Sequence, residues 1–229
     1  MEPIDICYTP LDVPPLPNID LDDVLSWVAE LNLTKNSIPN NIARSKLTKS
    51  YPWNFSLAYY HSSGGWQHNF DTRFPELSLY LTSAYGLDIE DIGSIIMLPV
   101  KDDHIGLGFW HADPDWSGLR LYLEDDQFDK NPLLFKKSKI PHDVHPMLGS
   151  VQENDNRFQT EIHECKILKS TQAFYLNNIR GIHSPFINVP ARRFAIIIQG
   201  KPGETIVMEK TKDLIIRSAM LYSDYALLY

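Results

Sequence analysis

The residues with the clearest metal-binding chemistry stand in two stretches that are far apart in the sequence. His111 and Asp113 lie one residue apart, directly after a hydrophobic stretch, and His183 follows a turn much later in the chain. Two imidazoles and one carboxylate on one face form a 2-His-1-carboxylate site, which suits iron(II) and leaves positions open for substrate and oxygen. These three residues are therefore the candidate metal ligands.

The H-x-D pair is weak support by itself. The chain has eight histidines and 19 aspartates in 229 residues, so roughly 0.7 such pairs are expected by chance. A metal site also requires strands that hold the ligands, a second histidine, and a cation for an acidic co-substrate. The surrounding sequence has to supply all three.

Strand-like segments lead to both candidate histidines. Residues 105–110 are apolar and run directly into His111, and residues 173–177 are followed by a turn before His183. The same criteria predict further strands at residues 51–60, 94–100, 119–123, 158–168, 192–199 and 205–208. The pattern indicates a strand-rich core between residues 94 and 199.

Arginine is the residue best suited to bind the far carboxylate of an acidic co-substrate, because its fork pairs with both oxygens. Arg192 and Arg193 begin a strand-like segment, where alternation allows only one of them to face a pocket and leaves open which one. Residues 119–123 alternate as well, which puts Arg120 and Tyr122 on one face and the leucines on the other.

The order of these features resembles that of iron(II)- and 2-oxoglutarate-dependent oxygenases. The H-x-D of His111 and Asp113, the strand with Arg120, the distant His183 and the strand that begins at Arg193 follow one another as in that superfamily. The pattern is most similar to the aspartyl/asparaginyl β-hydroxylase and cis-proline hydroxylase branch. The similarity covers roughly residues 94–199 and is one of pattern rather than of close identity.

The resemblance implies an α+β protein with a double-stranded β-helix (jelly-roll, cupin-like) core, flanked by amino-terminal helices and a carboxy-terminal helix. It implies that His111, Asp113 and His183 hold Fe(II), that Arg193 pairs with the C5 carboxylate of 2-oxoglutarate, and that Arg120 points into the pocket toward a substrate or co-substrate carboxylate. The reaction that it implies uses O2 to hydroxylate a substrate and converts 2-oxoglutarate to succinate and CO2.

The chain is expected to form a single domain over residues 1–229. Proline-rich residues 7–18 predict an extended arm over the surface, and apolar spacing predicts helices at residues 20–31 and 74–85 and a closing helix from residue 212, where a strand is the alternative. The expected divisions are an arm with supporting helices (1–92), the β-helix core (93–208), a long loop inserted in it (125–157) and the carboxy-terminal element (209–229).

Composition narrows the classes of partner. A formal net charge of -8 argues against nucleic acid and anionic membranes, because binding to either relies on clustered basic residues. The sequence shows no secretory signal and no apolar run long enough to cross a bilayer. Its two cysteines favour a reducing compartment, so we expect a cytoplasmic protein; its oligomeric state is not predicted.

Several alternatives stay open at this point. The favoured function is hydroxylation of a small molecule such as a free amino acid or related carboxylate. A peptide or protein side chain is a second kind of target, and a jelly-roll binding module with incidental histidines is the non-enzymatic alternative. A cupin-type metalloenzyme would need another histidine near the first pair, for which only His104 is a candidate. Four other histidines lack a paired carboxylate or stand in the long loop, which argues against them as ligands: His61, His68, His142 and His145.

Overall fold

A computed structural model describes most of the chain. The described residues are 2, 5–33, 57–99, 105–107, 110–112, 118–124, 127–140 and 154–229. Within them the helices are α1 (Leu21–Leu33), α2 (Phe70–Arg73), α3 (Pro75–Ser83) and α4 (Ile206–Leu221). The strands are β1 (Ile6–Pro10), β2 (Leu57–His61), β3 (Gly65–Trp66), β4 (Ile92–Pro99), β5 (Gly106–Leu107), β6 (Leu119–Glu124), β7 (Leu133–Lys137), β8 (His163–Cys165), β9 (Ala173–Leu176), β10 (Gly181–Ile187), β11 (Arg193–Gly200) and β12 (Leu227–Leu228).

The described strands form two sheets in which neighbouring strands run antiparallel. The large sheet has the order β12-β1-β9-β6-β11-β4-β2-β3, and the small sheet has the order β5-β10-β7-β8. From β4 to β11 the described strands lie in the two sheets alternately, except that β7 and β8 are both in the small sheet. Eight successive strands are thus shared equally between the sheets, and the expected combination of helices with antiparallel strands is confirmed.

The large sheet is buried on both faces. On β6, the leucines pack into a cluster with the helices, whereas Tyr122 belongs to a second cluster that includes Phe135 of the small sheet. The helices therefore cover one face of the large sheet, and the small sheet covers the other. The predicted alternation of leucines against Arg120 and Tyr122 is confirmed, and we call the space between the sheets the interior.

The amino-terminal helices form as the sequence predicts. The Asp20 carboxylate accepts a hydrogen bond from the backbone N–H of Asp22 at 2.8 Å, which caps the start of α1. Trp27 of α1 packs against Phe70 and Phe74, with ring centroids 5.6 and 5.3 Å apart. α3 begins with a proline, which is tolerated in the first turn. None of the helices in the described part of the chain has the length and apolar character that a bilayer crossing requires.

The predicted surface arm at residues 7–18 is wrong in its first part. β1 (Ile6–Pro10) is a fully buried strand of the large sheet, where it lies between β12 and β9. Pro10 is the last residue of β1, so the strand loses no internal hydrogen-bond donor. The other prolines of the segment follow the strand, and they end it rather than prevent it.

The long loop expected at residues 125–157 is also wrong in part. β7 lies inside that range and pairs with β10 on one side and β8 on the other. Pro132 precedes β7 and Pro141 follows it, so the prolines bound the strand instead of interrupting it. Residues 125–126 and 141–153, which include His142 and His145, lie outside the described residues.

The carboxy-terminal segment begins its helix earlier than its apolar spacing predicts. Residues 205–208 were expected as a strand, but α4 starts at Ile206 and includes most of them, which makes that expectation wrong. The closing helix is confirmed up to Leu221. After it, β12 pairs with β1 at the edge of the large sheet. The segment from residue 212 thus contains both a helix and a short strand, the two structures that were expected as alternatives.

Candidate functional site

The fold brings His111 and His183 together. The two residues form an isolated antiparallel bridge, in which the His111 N–H donates to the His183 carbonyl at 3.0 Å and the His183 N–H donates to the His111 carbonyl at 2.8 Å. Their ring centroids are 4.2 Å apart. Two imidazoles this close can offer nitrogen donors to one metal ion.

The imidazole pair faces the interior. His183 lies opposite Phe135 in the register of β10 and β7, and Phe135 belongs to the cluster between the sheets. The neighbouring Ile182 packs on the outer face. Residues directly opposite in an antiparallel bridge point to the same side, so His111 shares the interior face. His183 is buried while His111 is half-buried, which leaves the pair accessible from one side.

Close packing of the strands fixes the position of His183. Two residues earlier on β10, a Cβ at Gly181 would lie only 2.6 Å from the Phe135 ring. Glycine therefore allows β10 to approach β7 closely at this point. His183 is the third residue of the seven-residue β10, and its backbone is paired with β7 on one side and with His111 on the other.

The third predicted ligand is Asp113, which lies outside the described residues. Among the residues that are described, no three His, Cys, Asp or Glu side chains form a group that would hold a metal ion. Asp113 is two residues beyond His111, and its role stays a prediction. His104 also lies outside the described part of the chain, whereas the exposed His61 interacts with the Ser63 hydroxyl at 2.8 Å.

Of the two adjacent arginines, Arg193 points inward and Arg192 points outward. Arg192 is exposed and forms an ion pair with Asp22 of α1. Arg193 is 1% exposed, and its guanidinium lies 4.7 Å from the centre of the Tyr122 ring. The structure thus answers a question that alternation alone left open.

Arg193 has a buried carboxylate as its partner. Glu124 lies directly opposite it in the register of β6 and β11. The Arg193 Nε donates to Glu124 Oε2 at 2.5 Å, and Nη2 is also paired with that carboxylate. Both side chains are fully buried. This pair is compatible with a structural role, and the predicted contact between Arg193 and 2-oxoglutarate stays untested.

Asn131 connects the pair to the turn between β10 and β11. Its amide group donates to Glu124 Oε1 at 3.1 Å, and its backbone carbonyl accepts from Arg193 Nη2 at 3.0 Å. Its side-chain oxygen accepts from the backbone N–H groups of Asn188 and Val189 at 2.9 and 3.0 Å. The buried network therefore joins three segments of the chain at one end of the interior.

Arg120 is a second buried cation on the interior side of the large sheet. It is 3% exposed and lies opposite Phe174 of β9 and Ile197 of β11. Its Nη1 donates to the carbonyl of Leu119 at 3.0 Å. The face that carries Arg120 and Tyr122 also carries Glu124, so the interior contains two arginines and one carboxylate on these strands.

Sequence reasoning did not identify Glu124 and Asn131. The signal for Glu124 was present, because one more step of the alternation from Arg120 through Tyr122 reaches it. Asn131 lies within residues 125–157, which were expected to form a loop, and its contacts join positions distant in sequence. No local pattern identifies such a residue.

The interior also contains two buried thiols, from which we predict a dependence of stability on pH. Cys7 and Cys165 are free and belong to the cluster between the sheets. Burial raises the pKa of the Cys7 thiol from 9.0 to about 12 and raises that of Cys165 as well. Because the folded state holds these protons more tightly than the unfolded state, their contribution to stability is complete below about pH 9 and is lost as the pH rises further.

We therefore expect the free energy of unfolding to fall between pH 8 and pH 11, as measured by urea denaturation. The double variant Cys7→Ala/Cys165→Ala should show a weaker dependence on pH over the same range. If the free energy of unfolding falls equally with pH in the unchanged protein and in the double variant, these thiols are not the cause of the dependence. Alkylation at pH 8 should label neither thiol until the protein is denatured.

The chain was compared with protein families, curated proteins and solved structures. No family model and no curated protein matches it. Among solved structures, EvdMO1 is similar with a TM-score of 0.45 and 12% identity, covering 87% of this chain and 48% of that one. A full-length Neurospora crassa protein, solved in complex with alpha-KG, is similar with a TM-score of 0.36 and 9% identity, covering 82% of this chain and 74% of that one. The chain thus spans about half the length of EvdMO1, and at TM-scores below 0.5 neither likeness supports a conclusion.

Proposed function

We propose that this protein is an iron(II)- and 2-oxoglutarate-dependent dioxygenase of the aspartyl/asparaginyl β-hydroxylase and cis-proline hydroxylase branch. The observation that carries the proposal is the pair formed by His111 and His183, whose rings meet on the interior face at 4.2 Å. Their separation in sequence is large, so their meeting is a property of the fold. In the proposed site Asp113 completes the ligand set.

The strand order supports a double-stranded β-helix. Such a core consists of two facing antiparallel sheets between which successive strands alternate. The strands β4, β11, β6 and β9 lie together in the large sheet, and β5, β10, β7 and β8 form the small one. In this arrangement the proposed ligands come from the edge of the small sheet, at the bridge between His111 and β10.

The donor set suits iron(II). Two imidazoles and a carboxylate form the facial arrangement that leaves coordination positions open, and bound iron would supply the activation of O2. His183 is held within β10, and the backbone of His111 is hydrogen-bonded to it, so one imidazole donor stands on a strand and the other is tied to that strand. Rigid elements hold ligands more accurately than loops do.

The interior supports a ligand that carries carboxylates. Apolar side chains, among them Phe135 and Ile187, exclude water from the space between the sheets, and low polarity strengthens charge pairing there. Arg120 and Arg193 are buried cations of that space. In the proposed reaction 2-oxoglutarate is converted to succinate and CO2 while a C–H bond of the substrate is hydroxylated.

We further propose a small molecule, such as a free amino acid or related carboxylate, as the substrate. The interior faces of β6 and β11 carry two arginines against one carboxylate, Glu124, and this excess of positive charge supports an acidic ligand. The free thiols Cys7 and Cys165 support a reducing, intracellular compartment, and the net charge of -8 supports the absence of nucleic-acid partners.

The test measures succinate release from 2-oxoglutarate by the purified protein in the presence of iron(II), O2 and a panel of amino acids. We expect release that requires both iron and 2-oxoglutarate, and its loss in His111→Ala and in Asp113→Ala. His61→Ala is the matched control, because His61 is exposed and bonded to Ser63, and it should retain turnover. Unchanged release in the His111 and Asp113 variants would refute the iron assignment, while the absence of both metal and 2-oxoglutarate binding would favour a binding module.

A further inference from the structure

Lys137 brings a positive charge to the interior face of the small sheet. It is the last residue of β7 and lies opposite Gly181, the first residue of β10. Side chains along a strand alternate between its two faces, so Lys137 shares the interior face with Phe135, which lies opposite His183. The Lys137 side chain is half-buried, and a ligand can therefore reach it at the rim of the interior.

The same register places Lys137 near the histidine pair. Lys137 and His183 are diagonal neighbours across β7 and β10, a relation that corresponds to about 7 to 8 Å between the two residues. Between them, a Cβ at Gly181 would lie 2.6 Å from the Phe135 ring, so an aromatic ring covers the glycine. A ligand beside His183 can thus extend over this ring to the Lys137 ammonium.

The Lys137 charge acts on groups of the interior. Burial raises the pKa of the Cys7 and Cys165 thiols, and the Lys137 charge opposes this effect. Burial lowers the pKa of His163, and the Lys137 charge lowers it further. Cys7 belongs to the large sheet and the other two groups to the small one, so the ammonium is directed between the sheets.

Lys137 has no acidic partner among the side chains that the structure describes. Its ammonium forms neither a hydrogen bond nor an ion pair with them. By contrast, the Lys210 ammonium pairs with Asp88 and Asp91 at 3.0 and 2.7 Å. Charges that leave water are normally compensated by an opposite charge or by hydrogen bonds, so Lys137 is suited to receive an anionic group from a ligand.

Lys137 and Arg193 stand at opposite ends of β10, with His183 between them. Arg193 donates to the carbonyl of Asn131, whose side chain binds the turn that follows β10. Lys137 lies opposite the first of the seven residues of β10, a strand that spans roughly 20 Å. The resemblance places 2-oxoglutarate at Arg193, so an anionic group at Lys137 would come from the other reactant.

From this arrangement we infer that Lys137 binds a carboxylate of the substrate and so restricts the proposed reaction to acids. The inference rests on the proposed function, whose substrate class it narrows. The substrate carboxylate pairs with the ammonium at the rim, while the rest of the substrate lies over the Phe135 ring toward the histidine pair. Lys137 is thus a residue that determines specificity, and it takes no part in the oxidation itself.

The experiment measures how strongly the protein prefers an acid to the corresponding neutral amide. The protein is loaded with manganese(II) and 2-oxoglutarate, and calorimetry gives the dissociation constants of the common L-amino acids and of their α-carboxamides. We expect at least one amino acid to bind about tenfold more tightly than its amide, as hydrogen bonds to a charged group allow. In Lys137→Met, which keeps the apolar stem but lacks the charge, this preference should fall below about threefold.

Two further variants serve as controls. Lys137→Arg retains the positive charge and should retain the preference for the acid. Lys139→Met removes a nearby exposed lysine and changes the net charge equally, and it should leave the preference as it is. Thermal unfolding shows that each variant is folded. The affinity for 2-oxoglutarate should change by less than about threefold in all of them, because none loses a hydrogen bond to the co-substrate.

The outcomes separate the inference from the proposed function. An undiminished preference for the acid in Lys137→Met overturns the inference, because the ammonium is then only hydrated, and so does a preference that falls equally in Lys139→Met. The inference also fails if no amino acid binds, or if Lys137→Met loses affinity for 2-oxoglutarate, which would assign the lysine to the co-substrate. In all these cases the dioxygenase proposal stands. No binding of 2-oxoglutarate to the unchanged protein with manganese(II) overturns the proposed function, and the inference fails with it.

Discussion

Replacing Glu124 by glutamine is expected to lower the free energy of unfolding by about 3 to 5 kcal/mol. The Glu124 and Arg193 side chains are both fully buried, so the neutral amide leaves the guanidinium without the carboxylate that balances it. Asn131 cannot take over this role, because its groups on the network are neutral. Urea denaturation followed by circular dichroism measures the change.

A neighbouring ion pair provides the matched control for this prediction. Arg192 pairs with Asp22 at the surface, where the two side chains are 48% and 72% exposed. Exposed pairs contribute little, so Asp22→Asn should cost less than about 1 kcal/mol. If Glu124→Gln costs no more than Asp22→Asn, the interior at Arg193 is not the dry, closed network that the distances describe.

The position of both histidines next to strands was predictable from the sequence because it depends on local patterns. A strand that runs into His111 and another that leads to His183 were enough to predict that both histidines lie next to strands. The meeting of the two rings at 4.2 Å requires pairing between distant strands, which the resemblance implied and local pattern did not. Alternation on β6 predicted the common face of Arg120 and Tyr122, since period two holds wherever a strand forms.

The partner of Arg193 was not predictable in the same way. Register between β6 and β11 decides that Glu124 lies opposite Arg193, and a shift by one residue would put Leu123 or Asp125 there instead. Register follows from the packing of both faces of the sheet, which no single segment contains. This register matters for the site, because the resemblance assigns the Arg193 guanidinium to a carboxylate of 2-oxoglutarate. In the structure that guanidinium is paired with Glu124.

Proline misled the prediction of two strands. β1 ends at Pro10, and β7 lies between Pro132 and Pro141, so in both cases proline stands at or beyond the limit of the strand. Proline has no backbone N–H. A proline-rich stretch therefore excludes an interior strand only where a proline would have to donate a hydrogen bond to a neighbouring strand. β7 also has a weak alternation of polar and apolar residues, because its two faces are both largely buried.

Replacing His183 by alanine is expected to weaken the binding of manganese(II) or cobalt(II) by more than about 100-fold, which exceeds the roughly 10- to 100-fold cost of changing a residue that only supports a ligand. The reason is that His183 would supply one of three protein donors, and its backbone is fixed by β10 and by the bridge to His111. Calorimetry with either metal measures the affinity, and the absorption bands of cobalt(II) report on its coordination.

His163→Ala is the matched control for this last prediction. His163 lies on β8 opposite Phe135, as His183 does on the other side of β7, so the two histidines share the interior face. Burial lowers the pKa of His163, which favours its neutral imidazole. Its removal should change metal affinity by less than about threefold. The loss of a residue outside the ligand set should reduce metal affinity less than the loss of a residue that supports a ligand. Equal losses in the two variants would mean that metal affinity follows the general integrity of the small sheet, and the case for His183 as a ligand would fail.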